Sequence, residues 1–71
     1  MDVPDYLKCA ITDELMLEPV LIESGHTYEK AMILEHFKKS GAIDPITGQE
    51  VNPQVLVPNH ALKKASKDFL A

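Results

Sequence analysis

Apolar positions along the chain fall into short runs with changing periods. Behind Pro19, the run PVLIE holds Val20, Leu21 and Ile22 in succession and predicts a strand. Ser24–Gly25 is a turn signal, and His26–Thr27–Tyr28 returns as a second short strand, which together predict a β-hairpin. From Glu29 to Ser40 the period becomes helical, with Ile33, Leu34, Phe37 and Lys30 on one stripe and Glu35, Lys38 and Lys39 opposite. Glu29 in the first turn and lysines in the last suit the helix dipole. Gly41 follows as the residue that ends the helix.

The flanking segments lack a clean period. Residues 3–18, VPDYLKCAITDELMLE, predict a long loop with one turn around Asp13–Glu14. AIDPITGQEVNPQ carries two prolines and a glycine and predicts a second loop. VLVPN predicts a short third strand, and Asn59 is a suitable N-cap for a last helix with Leu62, Ala65 and Phe69 inward. The order predicts a single α+β domain, residues 4–70, with a β-hairpin or three-stranded sheet, a central helix bracketed by two loops, and a C-terminal helix.

Composition narrows the classes. Seventy-one residues allow one domain with a thin core, and the lone Cys9 rules out an intrachain disulfide. The net charge is −4 and all seven basic residues are lysines, whose longest clusters, Lys38–Lys39 and Lys63–Lys64 with Lys67 nearby, sit on predicted solvated helix faces. Nucleic-acid binding is not expected from that balance. No apolar run is as long as a membrane span and no signal-peptide pattern begins the chain, so no membrane association is expected. A free cysteine fits a cytoplasmic or nuclear setting. Either end is compatible with excision from a longer protein.

Cys9, His26, His36 and His60 supply four conceivable zinc ligands, but none of the close pairs that structural zinc sites use. No metal or other cofactor is expected. A lone cysteine reads as a small buried hydrophobe, since a thiol nucleophile needs an oriented base and an oxyanion site. What stands out is apolar loop content: Ile11 in the first loop, and Ile43, Pro45 and Ile46 in the second. Two readings remain open on composition alone. These side chains close the core, or some face outward beside the helix bearing His36 and form an apolar protein-binding groove.

The stretches CAITDELMLEPVLIESGHTYEKAMILEHF, DPITGQ and LVPNHALKKASKDFL together resemble the U-box, the zinc-free relative of the RING finger. The likeness is strongest to the chaperone-associated members and covers nearly the whole chain. It implies an E3 ubiquitin ligase module that binds a ubiquitin-conjugating enzyme (E2) charged with ubiquitin. Transfer to a lysine of a protein substrate, recruited by another domain, then proceeds with no covalent ligase intermediate and no catalytic nucleophile. The resemblance places the E2-binding groove at Ile11, His36, Pro45 and Ile46. Asp13, with Glu14 and Glu18 nearby, would complement the basic first helix common to E2 enzymes.

Where RING fingers use zinc, the resemblance implies a structural polar network, here matched by Ser24, Thr27, Glu29 and Asn59, with Tyr28 bracing the core and His26 exposed or bonded locally. Some family members pair through the hairpin and nearby helix, so a homodimer is a further expectation. Three departures bear on function. Ala10 replaces the usual proline, Asp13 stands where an aromatic is common, and Gly48 occupies the place of a basic residue that clamps the ubiquitin thioester. A non-catalytic interaction or assembly module is therefore the alternative reading.

Overall fold

The computed structural model describes residues 2–71. The chain opens with a 3₁₀ turn, Asp5–Leu7, followed by strand β1 (Pro19–Leu21), β2 (Thr27–Glu29), helix α1 (Lys30–Ser40), β3 (Val57–Pro58) and helix α2 (His60–Leu70). The sheet is antiparallel with order β2-β1-β3, Val20 facing Tyr28 on one side and Pro58 on the other. The predicted hairpin, central helix, third strand and last helix are all present; β1 and β3 are shorter than the runs that predict them, and β2 is shifted by one residue, to Thr27–Glu29.

The core is one cluster of Cys9, Met16, Val20, Ile22, Tyr28, Ile33 and Val51, with Met32, Phe37, Ala42, Leu56 and Leu62 packed against it. Both long loops contribute to it, which a thin core requires. The first loop has more structure than its sequence predicts. Leu7, Cys9 and Met16 are fully buried, and Met16 N–H donates to the Leu7 carbonyl at 2.8 Å beside a Lys8–Leu15 bridge. Its tip, which carries Ile11, is thus the end of a narrow tongue rather than a loose segment.

Two helix faces differ from expectation. On α1, Leu34 is exposed and Met32 takes the inward place beside fully buried Ile33. The helix leaves β2 without a break, so its register is set by Tyr28 and Ile33, and Leu34 turns past the contact. On α2 the fully buried side chain is Ser66, not Ala65. Leu62, Ser66 and Phe69 follow the four-then-three spacing of one stripe, and a small residue at its centre lets α2 lie close to the 3₁₀ turn and β1. Asn59 caps α2, its Oδ1 accepting the Leu62 N–H at 3.0 Å.

Candidate functional site

Helix α1 stands between the two loops and each is fastened to one end of it. At the N-terminal end, the Glu29 carboxylate accepts the N–H groups of Leu17 and Glu18 at 3.0 and 2.9 Å. It caps the base of the first loop instead of its own helix. Near the C-terminal end, His36 Nε2 lies 3.0 Å from the carbonyl oxygen of Ile43 at the entry to the second loop. A carbonyl only accepts, so Nε2 carries the proton and donates.

Between these fastenings lies a depression of about 210 Å³ lined by Ile11, Met32, Glu35, His36 and Lys39. Ile11 is 39% exposed and reaches it from the first loop, while Glu35 and Lys39 form its charged rim as an ion pair at 3.0 Å. Ile46 is 60% exposed on the second loop and Pro45 is half-buried; neither lines the depression itself. Asp13 is exposed at φ +58, a left-handed setting that aspartate tolerates better than most residues, and its carboxylate is 3.8 Å from Lys8 Nζ. A larger open hollow on the adjoining flank of α1, beside Ala31, Leu34 and Lys38, shares Glu35 and Lys39 but touches neither loop.

The second loop takes its shape from Asp44, which is fully buried. Its Oδ1 accepts the Tyr28 hydroxyl at 2.7 Å and the N–H groups of Ile46 and Thr47 at 2.7 and 3.2 Å. Its Oδ2 accepts the Ser24 hydroxyl and His26 Nδ1–H, the latter at 2.8 Å. Burial by itself would raise the Asp44 pKa, but the bonds from Ser24, His26, Tyr28 and the Ile46 backbone outweigh it and hold the carboxyl well below the usual carboxylate range. Burial, with the bond to Asp44 and its negative charge, pushes the Tyr28 phenol well above its ordinary value.

The polar network is therefore organised otherwise than the sequence predicts. Ser24 joins the Asp44 cluster, Glu29 works alone on the first loop, and Asn59 Nδ2 is 3.5 Å from Thr27 Oγ1 in a third, weaker contact. His26 is not confined to local bonds, since its partner lies eighteen residues away. The hub itself was missed, because aspartate is a surface residue by default and burial of a lone carboxylate leaves no periodic signal. The signal present was Asp44–Pro45, an Asx-turn pair in which the carboxylate turns back onto following N–H groups. Among the described residues, no three His, Cys, Asp or Glu side chains converge in a way that would hold a metal ion.

The family model for the U-box domain matches residues 3–71. The chain belongs to the U-box family. This U-box is 54% identical over 69 residues to the E3 ubiquitin-protein ligase CHIP of Arabidopsis thaliana, covering 97% of this chain and 25% of that protein. It is 36% identical over 61 residues to the E3 ubiquitin-protein ligase SPL11 of Oryza sativa subsp. japonica, covering 86% of this chain and 9% of that one. The chain thus spans a quarter or less of the length of these curated relatives. Among solved structures, the RING finger-like domain of Retinoblastoma Binding Protein-6 (RBBP6) matches with a TM-score of 0.85 at 30% identity, over 94% of this chain and 76% of that one. The fold is therefore the RING-like U-box fold, with the Asp44 cluster bracing the second loop.

Proposed function

We propose that this U-box is the E2-recruiting module of an E3 ubiquitin ligase. The observation that carries the reading is the shared depression of Ile11 and His36, with exposed Ile46 on a loop fastened beside it. Two relatives named E3 ubiquitin-protein ligases support it. An E2 would seat an apolar loop against Ile11 and the second-loop tip, with Ile11 as the anchor. Asp13, Glu14 and Glu18 add attraction for a basic helix on the E2.

The transfer needs no nucleophile from this chain. A substrate lysine amine attacks the thioester carbonyl on the E2, an amide forms, and the E2 cysteine sulfur leaves. The domain contributes by restricting how E2, ubiquitin and acceptor are arranged, which lowers the entropic part of the barrier. The substrate protein is brought by another part of the parent protein.

Gly48 favours a second reading, in which the domain binds without strongly activating transfer. It sits at φ +74, where an arginine or lysine would be strained, and the chain has no arginine. Both readings are tested by single-turnover discharge of ubiquitin-charged E2 enzymes onto free lysine, with wild type, Ile11→Ala and Gln49→Arg in parallel. Acceleration abolished by Ile11→Ala is expected. Acceleration seen only with Gln49→Arg would favour the binding-only reading, and acceleration unaffected by Ile11→Ala would overturn the assignment of the groove.

A further inference from the structure

We infer that His36 is a positioning residue, whose imidazole holds the second loop at one setting against α1 and so fixes where Ile46 stands relative to Ile11. The consequence for binding rests on the E2-docking reading; the geometry does not. Helix α1 ends at Gly41, where φ +85 reverses the chain and brings Ile43 back alongside the helix, so that its carbonyl meets Nε2 of His36. Among the described residues, this is the one side-chain hydrogen bond from α1 to the second loop.

Ile43 is also the neck of that loop. It pairs with Glu50 across an isolated bridge, and Val51 N–H donates to the Ala42 carbonyl at 2.9 Å just outside it. Within the neck the loop is braced on itself. Asp44 N–H donates to the Gln49 carbonyl at 2.8 Å, Gly48 N–H donates to the Asp44 carbonyl at 2.9 Å, and the Asp44 carboxylate holds Ile46 and Thr47. A segment braced in this way moves as a body, so a shift at the neck carries Pro45 and Ile46 with it. Asp44 ties that body to the hairpin through Ser24, His26 and Tyr28, and His36 ties it to α1. With both ties made, the loop has one setting. With Asp44 alone it can swing about the hairpin side.

A direct-contact role for His36 makes different demands. A contact residue needs its ring face in the depression, and the donor at Nε2 is then incidental. A positioning residue needs the donor, and its effect on binding must pass through the second loop. His36→Phe separates the two, because it keeps an aromatic ring and removes the bond to Ile43.

The test has two arms. In the free domain, amide hydrogen exchange is compared between wild type and His36→Phe, with thermal unfolding to register global effects. Exchange at Val51, whose N–H bonds to Ala42 just outside the braced segment, is expected to quicken by about tenfold, while Asp44 and Gly48 inside that segment and the hairpin amides of Val20 and Tyr28 keep their rates. In the second arm, affinity for an E2 is measured for His36→Phe, Ile46→Ala and the double variant. A loss of about tenfold is expected from His36→Phe in the wild-type background, the scale of one hydrogen bond. In the Ile46→Ala background the same change should cost less than about twofold, because the loop tip it positions is already gone. Unchanged exchange at Val51, or a full loss that adds to Ile46→Ala, overturns the positioning role. A wild-type domain that binds no E2 defeats the docking reading, and the exchange arm then decides the role of His36 alone.

Discussion

Asp44 is the place where one substitution should cost most. Asp44→Ala leaves five donors without their acceptor: the Ser24 and Tyr28 hydroxyls, His26 Nδ1–H, and the N–H groups of Ile46 and Thr47. Ile46 and Thr47 are exposed, and Ser24 and His26 partly so; these groups can turn to water. Tyr28 is 0% exposed and cannot, so its hydroxyl is stranded at a cost of about 1–3 kcal/mol. Losing the remaining charge-assisted bonds and opening the loop bring the expected total to about 3–5 kcal/mol. A domain of this size is stable by about 4–10 kcal/mol, so the alanine variant should be close to unfolded. Asp44→Asn keeps the shape and one acceptor oxygen. It should cost about 2 kcal/mol, since Ser24 can rotate and His26 can change tautomer to meet the new amide.

Urea unfolding followed by far-UV circular dichroism measures both variants. It also tests the charge. The folded Asp44 carboxyl gives up its proton more readily than in the unfolded chain, whose value is about 3.9. The unfolded state therefore binds more protons as pH falls below about 5, and the Asp44 contribution, complete above that, is lost progressively toward lower pH. Asparagine has no such dependence, so the gap between wild type and Asp44→Asn should close on acidification. A gap that stays constant from neutrality to about pH 3, or an alanine variant within about 1 kcal/mol of wild type, would refute the hub.

At the alkaline end the sign reverses: Tyr28, raised when folded, stays protonated while the unfolded phenol ionises near pH 10, so stability should fall above that pH in wild type. Tyr28→Phe should show a smaller fall at this site and lose about 1–2 kcal/mol at neutral pH, read by the same unfolding curves. Asn59→Ala should lower stability by about 1 kcal/mol through the uncapped α2, with fraying at His60–Leu62 visible by hydrogen exchange. Glu29→Gln should weaken the bonds to Leu17 and Glu18, speeding exchange at those two amides and lowering E2 affinity several-fold with the sheet intact.

The elements were legible because periodicity and caps are local. The PVLIE run, the Ser24–Gly25 turn, the helix ending at Gly41 and the Asn59 cap each appear where the pattern puts them. Exposed Ile11 and Ile46 stand out in the sequence as apolar residues in loops, though composition does not distinguish which loop residues point inward. Leu34 and Ala65 depart from the expected stripes because a stripe on a short helix spans several positions: on α1 the register follows Tyr28, buried in the preceding strand, and on α2 the stripe centres on Ser66 and leaves Ala65 half-buried at its edge. The Asp44 cluster was hidden for another reason. It joins side chains sixteen to twenty residues apart through a charge, and no local pattern marks a carboxylate as buried.

The most direct test is a titration of the isotope-labelled domain with an E2, followed by amide chemical shifts. Resonances of Ile11, Met32, His36 and Ile46 are expected to move together, with Ile11→Ala abolishing the shifts and leaving the spectrum folded. Shifts confined to α2 or to the β1–β2 hairpin, with Ile11 and Ile46 unmoved, would contradict the E2-docking reading.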